Sequence, residues 1–132
     1  VIVSTTAEAV RTTVATGSGT DAAAAWTCLV RRGMLHSECE AVEHWLLPHG
    51  AVLTATPGHG VEEALLVLDG RLRVITASGE RAVGAGQLAL VPHGCRARLV
   101  ADGDAVRLIT VRTLAASVTD RLPPRIPELV SS

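Results

Sequence analysis

Gly86-Gln87-Leu88-Ala89-Leu90-Val91-Pro92-His93-Gly94 reads as a short apolar strand held between two turns. The run from Leu88 to Val91 is too short for a helix, and punctuating residues bound it on both sides. The ring of Pro92 sets φ near about −65° and starts a turn, while Gly94 tolerates the positive φ that completes one. The unit has an echo upstream, where Leu46-Leu47-Pro48-His49-Gly50 repeats the form of Leu90-Val91-Pro92-His93-Gly94.

Working outward, the same grammar covers most of the chain. Strands are predicted near Trp26–Val30, Val42–Leu47, Ala51–Thr54, Glu63–Leu68, Arg71–Thr76, Glu80–Val83, Gln87–Val91, Cys95–Val100 and Ala105–Val111. Leu68-Asp69-Gly70-Arg71 and Ala101-Asp102-Gly103-Asp104 carry the signals of tight hairpins, with glycine at a place that wants positive φ. Many short strands without an intervening helical pattern mean a sandwich or barrel. With two matched halves, the expectation is an all-β jelly-roll barrel of two antiparallel sheets. Residues 1–24, rich in Ala, Thr, Ser and Gly, read as a flexible arm with one short helix around Thr6–Val14. Residues 25–114 form the barrel. Residues 115–132 read as an extended tail, because Leu122-Pro123-Pro124-Arg125-Ile126-Pro127 has no place inside a sheet.

Composition narrows the function classes. The 132 residues suit one domain, and 48% hydrophobic against 19% charged residues is a globular balance. The net charge is −1 and the arginines are scattered, which argues against a nucleic-acid partner. All 12 basic residues are Arg, and the chain has no Lys, Asn, Phe or Tyr. These four are the residues spelled by AT-rich codons, so a GC-rich bacterial coding sequence is expected. Cys28, Cys39 and Cys95 are an odd set without a CxxC, so neither a disulfide framework nor a cysteine zinc site is expected. No apolar run has the length of a membrane span, and the first residues lack the character of a signal peptide. The expected location is cytoplasmic.

Across roughly Trp26 to Leu114 the chain resembles the cupin superfamily. Pro57-Gly58-His59-Gly60-Val61-Glu62-Glu63, followed by Ala64 to Gly70, is similar to the first cupin motif. His59 stands at its second His, Glu63 at its Glu and Gly70 at its Gly. Gly86 to Ala97 is similar to the second motif through Gly86, Pro92 and Gly94. The resemblance implies a jelly-roll barrel, and in the family a metal held by three His and one Glu. Here Pro57 stands at the first His and Ala97 at the last, so the motifs are degenerate. Two remaining ligands hold a transition metal poorly, and no metal or other cofactor is expected. A rebuilt ligand set from His59, Glu63 and one of His44, His93 or Cys95 is the alternative.

The candidate site residues follow from the same frame. Glu63 shares a strand face with Leu65 and Val67, so it points into the barrel and is the expected general acid or base. Its bland alternative is a salt bridge to an Arg across the sheet. His59 is the candidate partner for proton transfer, against a plain loop histidine. Of His44 and Trp45, one faces inward and the other outward. His44 is the weaker catalytic candidate, with a structural role as its alternative. Leu65, Val67, Cys95, Ala97 and Trp45 are the expected pocket wall. Glu62, Arg96 and Arg98 should face outward.

The expected function is a small-molecule tailoring enzyme of bacterial secondary metabolism, by metal-independent proton transfer such as cyclisation, dehydration or isomerisation. A non-catalytic small-molecule-binding cupin module and a metal-dependent cupin with rebuilt ligands are the alternatives. The partners expected are a small-molecule substrate and a second copy, a homodimer, because Ala22–Val30 looks like an apolar edge.

Overall fold

Apolar residues alternate with polar ones along much of the chain, which calls for extended backbone with one buried face. The computed structural model describes residues 3–32, 34–35, 39–56, 61–114 and 120–121. Its strands are β1 Val10–Thr16, β2 Asp21–Arg31, β3 Cys39–Leu47 and β4 Ala51–Ala55, then β5 Val61–Thr76, β6 Gly79–Gly84, β7 Leu88–Val91 and β8 Ala97–Leu114. Every strand pairing among the described residues is antiparallel. No helix among them is long and apolar enough to cross a membrane.

The long strand β8 organises the barrel. Residues 97–100 pair with β4, and the stretch from Val106 to Thr113 pairs with β3. Between these two partners the chain runs β3, β2, β1, β4 as successive neighbours, so the ring closes on β8. Closure leaves few free strand edges. β5 follows the other side of β8 along most of its length, and carries β7 on its first half and β6 on its second. The all-β jelly roll read from the sequence is the fold observed.

Three details differ from expectation. Asp69-Gly70 and Asp102-Gly103 are not hairpins, because β5 and β8 each continue through them. A two-residue turn signal reports glycine at positive φ, and such a residue bends a strand as readily as it reverses one. Gly70 has φ +83°, and a Cβ there would lie 2.7 Å from the Ala105 carbonyl oxygen. Only glycine lets the two bent strands approach so closely.

Val10–Thr16 and the stretch from Asp21 onward are paired strands and not part of a loose arm. β1 and β2 form a hairpin that pairs with both β3 and β4, and in place of the helix expected around Thr6–Val14 the chain turns and then runs as strand from Val10. Val10, Thr12, Thr13 and Val14 are β-branched and prefer the pleat. The Gly- and Ser-containing stretch after Thr16 is a hairpin loop, closed by Thr16 and Thr20 backbone and hydroxyl bonds. Consequently Ala22–Trp26 is no exposed edge, since β1 covers one side of that stretch and β3 pairs with the other side of β2. The tail segment from Leu122 to Pro127 lies outside the described residues.

The matched units appear as matched turns. Ala51 N donates to Pro48 O and Cys95 N to Pro92 O, each over 3.1 Å, with Gly50 and Gly94 at φ +76° and +85°. Inside, Leu47, Leu65, Val67, Leu72, Leu99, Val106 and Leu108 are 0–1% exposed. Each such side chain contributes about 1.5–3 kcal/mol relative to exposure. With no Phe or Tyr in the chain, Leu, Val and Ala fill the core.

Candidate functional site

Alternation sorts the polar residues between the two faces of the sheet. Glu43 on β3 stands opposite Thr110 on β8, and Thr110 stands opposite Leu65 on β5, a core residue. The three side chains therefore share the inner face. Two residues along each strand in that face come Trp45, Arg112 and Glu63. The barrel interior thus receives two carboxylates, one guanidinium, one hydroxyl and an indole, all from strands.

These groups meet. Arg112 Nε donates to Glu63 Oε1 over 3.3 Å, and its NH1 lies 3.4 Å from Glu43 Oε1. Trp26 Nε1, from the neighbouring β2, donates to Glu43 Oε2. The two indole rings sit side by side, with centroids 6.3 Å apart and planes at 55°. Glu43 and Glu63 are only 6% and 5% exposed, so their charges interact through a medium far less polar than water. Arg112 is a third exposed and reaches them from the rim. Thr110 is fully buried, and its hydroxyl, Glu43 Oε1 and Trp45 Nε1 lack hydrogen-bond partners.

The residues singled out from the sequence end in different places. Glu63 and Trp45 do belong to this cluster's face. Leu65, Val67 and Ala97 also point inward, but they are fully packed in the core and offer a ligand no open surface. Cys95 is half-buried at the end of a turn and packs on the core margin. His59 lies outside the described residues.

His44 is the correction. It stands opposite Thr27 and Ile109 on the outer face, buried there, and its Nε2 accepts a bond from Arg107 Nε at 3.2 Å. Burial, helped by the Arg107 charge, pushes its pKa below the ordinary histidine value. Glu62, Arg96 and Arg98 are exposed, as alternation requires.

Glu43, Arg112, Trp26 and Thr110 are the site residues that sequence reasoning passed over. A signal for Glu43 existed, because placing Trp45 inward places Glu43 inward too. Arg112 alternates with Leu108 and Thr110 in the same way. What no pattern announces is that the three charged groups, far apart in the chain, converge.

The metal of the cupin motif that the sequence resembles does not fit the described donors. Ala97 offers no ligand atom, and the Glu63 carboxylate is already engaged by a fixed cation, the Arg112 guanidinium. Among the described residues no three His, Cys, Asp or Glu side chains stand together as a metal site. A depression of about 210 Å³ also borders Glu63, but Ala64, Leu90, Val111 and Thr113 line it from the outer face. A wider one of about 670 Å³ lies between β5, β6 and β7, away from the cluster.

Known structures share this architecture. A protein described as a predicted oxalate decarboxylase from Thermotoga maritima matches 87% of this chain and 100% of its own length, with TM-score 0.70 and 14% identity. A cupin 2 conserved barrel domain protein from Salinispora arenicola matches 74% of this chain and 81% of its own, at TM-score 0.60 and 18% identity. The chain has the cupin fold. The cupin 2 domain of an XRE family transcriptional regulator from Enterobacter cloacae is a further match, at TM-score 0.60 and 15% identity, covering 70% of this chain and 97% of that one. No family model and no curated protein matches the sequence. Neighbours of such different kinds share a cupin barrel and not one activity.

Proposed function

We propose that this cupin barrel binds a small molecule at the Glu43–Arg112–Glu63 cluster and moves a proton on it without a metal. The observation that carries this reading is an inward-facing carboxylate, Glu63, that is 5% exposed and shares one buried cluster with a second carboxylate, Glu43. Cyclisation, dehydration and isomerisation each take a proton from one atom and deliver one to another. A pair of oriented carboxylates is equipped for both steps. Arg112 fixes the Glu63 carboxylate in one orientation, and Trp26 does the same for Glu43. In this reading the protein is a cytoplasmic, homodimeric tailoring enzyme of bacterial secondary metabolism.

Glu63→Gln keeps the shape and removes the transferable proton. With a substrate drawn from the products of neighbouring genes, the expected loss in rate is ~10² to 10⁴. Glu62→Gln, one residue along and exposed, should leave the rate unchanged. Full activity in Glu63→Gln would remove the proton-transfer role.

One observation favours a second reading. Both carboxylates are already engaged by one guanidinium, an arrangement that also suits a non-catalytic module recognising a small molecule. Ligand binding without turnover, in the parent and in Glu63→Gln alike, is the outcome that selects it.

A further inference from the structure

We infer that the ligand of this cluster carries a positively charged amine, seated beside Glu43 and the Trp26–Trp45 pair. The inference rests on the small-molecule reading and assigns that molecule a chemical class.

Charge is the first argument. Glu43 and Glu63 face one guanidinium, so among the described residues the buried cluster has a formal charge of −1. Unbalanced charge away from water is costly, and a ligand cation would balance it. An anionic ligand meets two carboxylates and an arginine already committed to both.

Buried polar atoms without hydrogen bonds are the second argument. Thr110 Oγ1 is buried without a hydrogen bond in a fully buried side chain, and Glu43 Oε1 has the 3.4 Å ion pair to Arg112 NH1 but no hydrogen bond. Both can accept, and an ammonium group has only donors to give. Trp45, half-buried, has its Nε1 donor covered and without a hydrogen-bond partner, which asks for one oxygen acceptor on the ligand.

The third argument is aromatic. The chain has no Phe or Tyr and only two Trp, and both stand beside Glu43. Cations bind over indole faces, most strongly where water is excluded. Trp26 also orients the carboxylate through its own N–H.

Because Trp26 and Trp45 are the only tryptophans, intrinsic fluorescence reports on the site alone. The test titrates the unaltered protein with n-butylammonium, tetramethylammonium, butanol and butyrate at matched ionic strength. The expected result is a saturable fluorescence change with the two cations, about tenfold or more tighter than with butanol or butyrate. Glu43→Gln should weaken the cations about tenfold and leave butanol unaffected. The charge series on the parent decides the matter even where that variant fails to fold. Equal or tighter binding of butanol or butyrate would overturn the amine assignment, as would silence from both cations. A screen of neutral and anionic metabolites by the same signal separates the two readings. A hit there, with the amines silent, keeps the small-molecule site and discards the amine, whereas no hit of any class discards both.

Discussion

Arg112 Nε and Glu63 Oε1, 49 residues apart in the chain, are joined across 3.3 Å inside the barrel. The pair ties the end of β8 to the start of β5, and through Glu43 to β3 as well. Arg112→Met would leave two buried carboxylates facing each other. The expected loss is about 3 kcal/mol, the low end for breaking a buried pair, because solvent reaches part of Arg112. Urea unfolding measures it, and adding Glu43→Gln and Glu63→Gln to the same variant should recover most of the loss. A single variant as stable as the parent would mean the ion pairs hold nothing together.

Gly70 and Gly103 both have positive φ, but only Gly70 is crowded. Gly103→Ala should cost about 1–2 kcal/mol for the left-handed backbone alone. Gly70→Ala adds a Cβ 2.7 Å from a backbone oxygen and should cost clearly more. Thermal melts of the two variants, run side by side, compare them. Equal losses would show that β5 and β8 part without penalty.

The buried His44 makes stability depend on pH. Its folded pKa lies below the unfolded value of 6.5, mainly through burial. Above that value both states are neutral at this residue. As pH falls through it, the unfolded chain takes up the proton first, so stability declines toward acid. His44→Gln should flatten this part of the profile between pH 8 and 5. An unchanged slope in the variant would assign the acid sensitivity elsewhere.

Pro57 and Ala97 stand at two of the four metal positions, and Arg112 already supplies a cation to Glu63. The purified protein is therefore expected to carry far less than one transition metal per chain. Elemental analysis after dialysis gives the number. Retention of about one zinc, iron, nickel or manganese would return His59 and Glu63 to a ligand role.

The outer face around β7 is apolar. Leu88 stands opposite Leu66, and Leu90 opposite Ala64, with Leu88 and Leu90 55% and 73% exposed. A second copy packed on this face would cover them. Light scattering at micromolar concentration is expected to give twice the chain mass, and Leu90→Glu to give the single mass. A monomeric parent removes the dimer.

The strand-and-turn units were legible because they are local. Pro92 and Gly94, or Pro48 and Gly50, impose their turns through their own backbone preferences, whatever the rest of the chain does. Glu63 was legible as an inward residue for the same reason, since alternation along one strand needs no partner. Gly70 was legible as a special position but not as a bend, because reversal and bending demand the same φ. The hairpin of β1 and β2 was hidden by its Ala- and Thr-rich composition, which takes its order from pairing with β3 and β4.

Sequence alone, then, determined a cupin-type barrel, its matched turns and one inward carboxylate. Tertiary structure alone decided that Glu43 and not His44 joins Glu63, and that Arg112 stands between them. The reason is register. Which residue of β3 faces which residue of β8 depends on hydrogen-bonded pairing between strands some 60 residues apart. A slip of one residue would exchange Glu43 for His44.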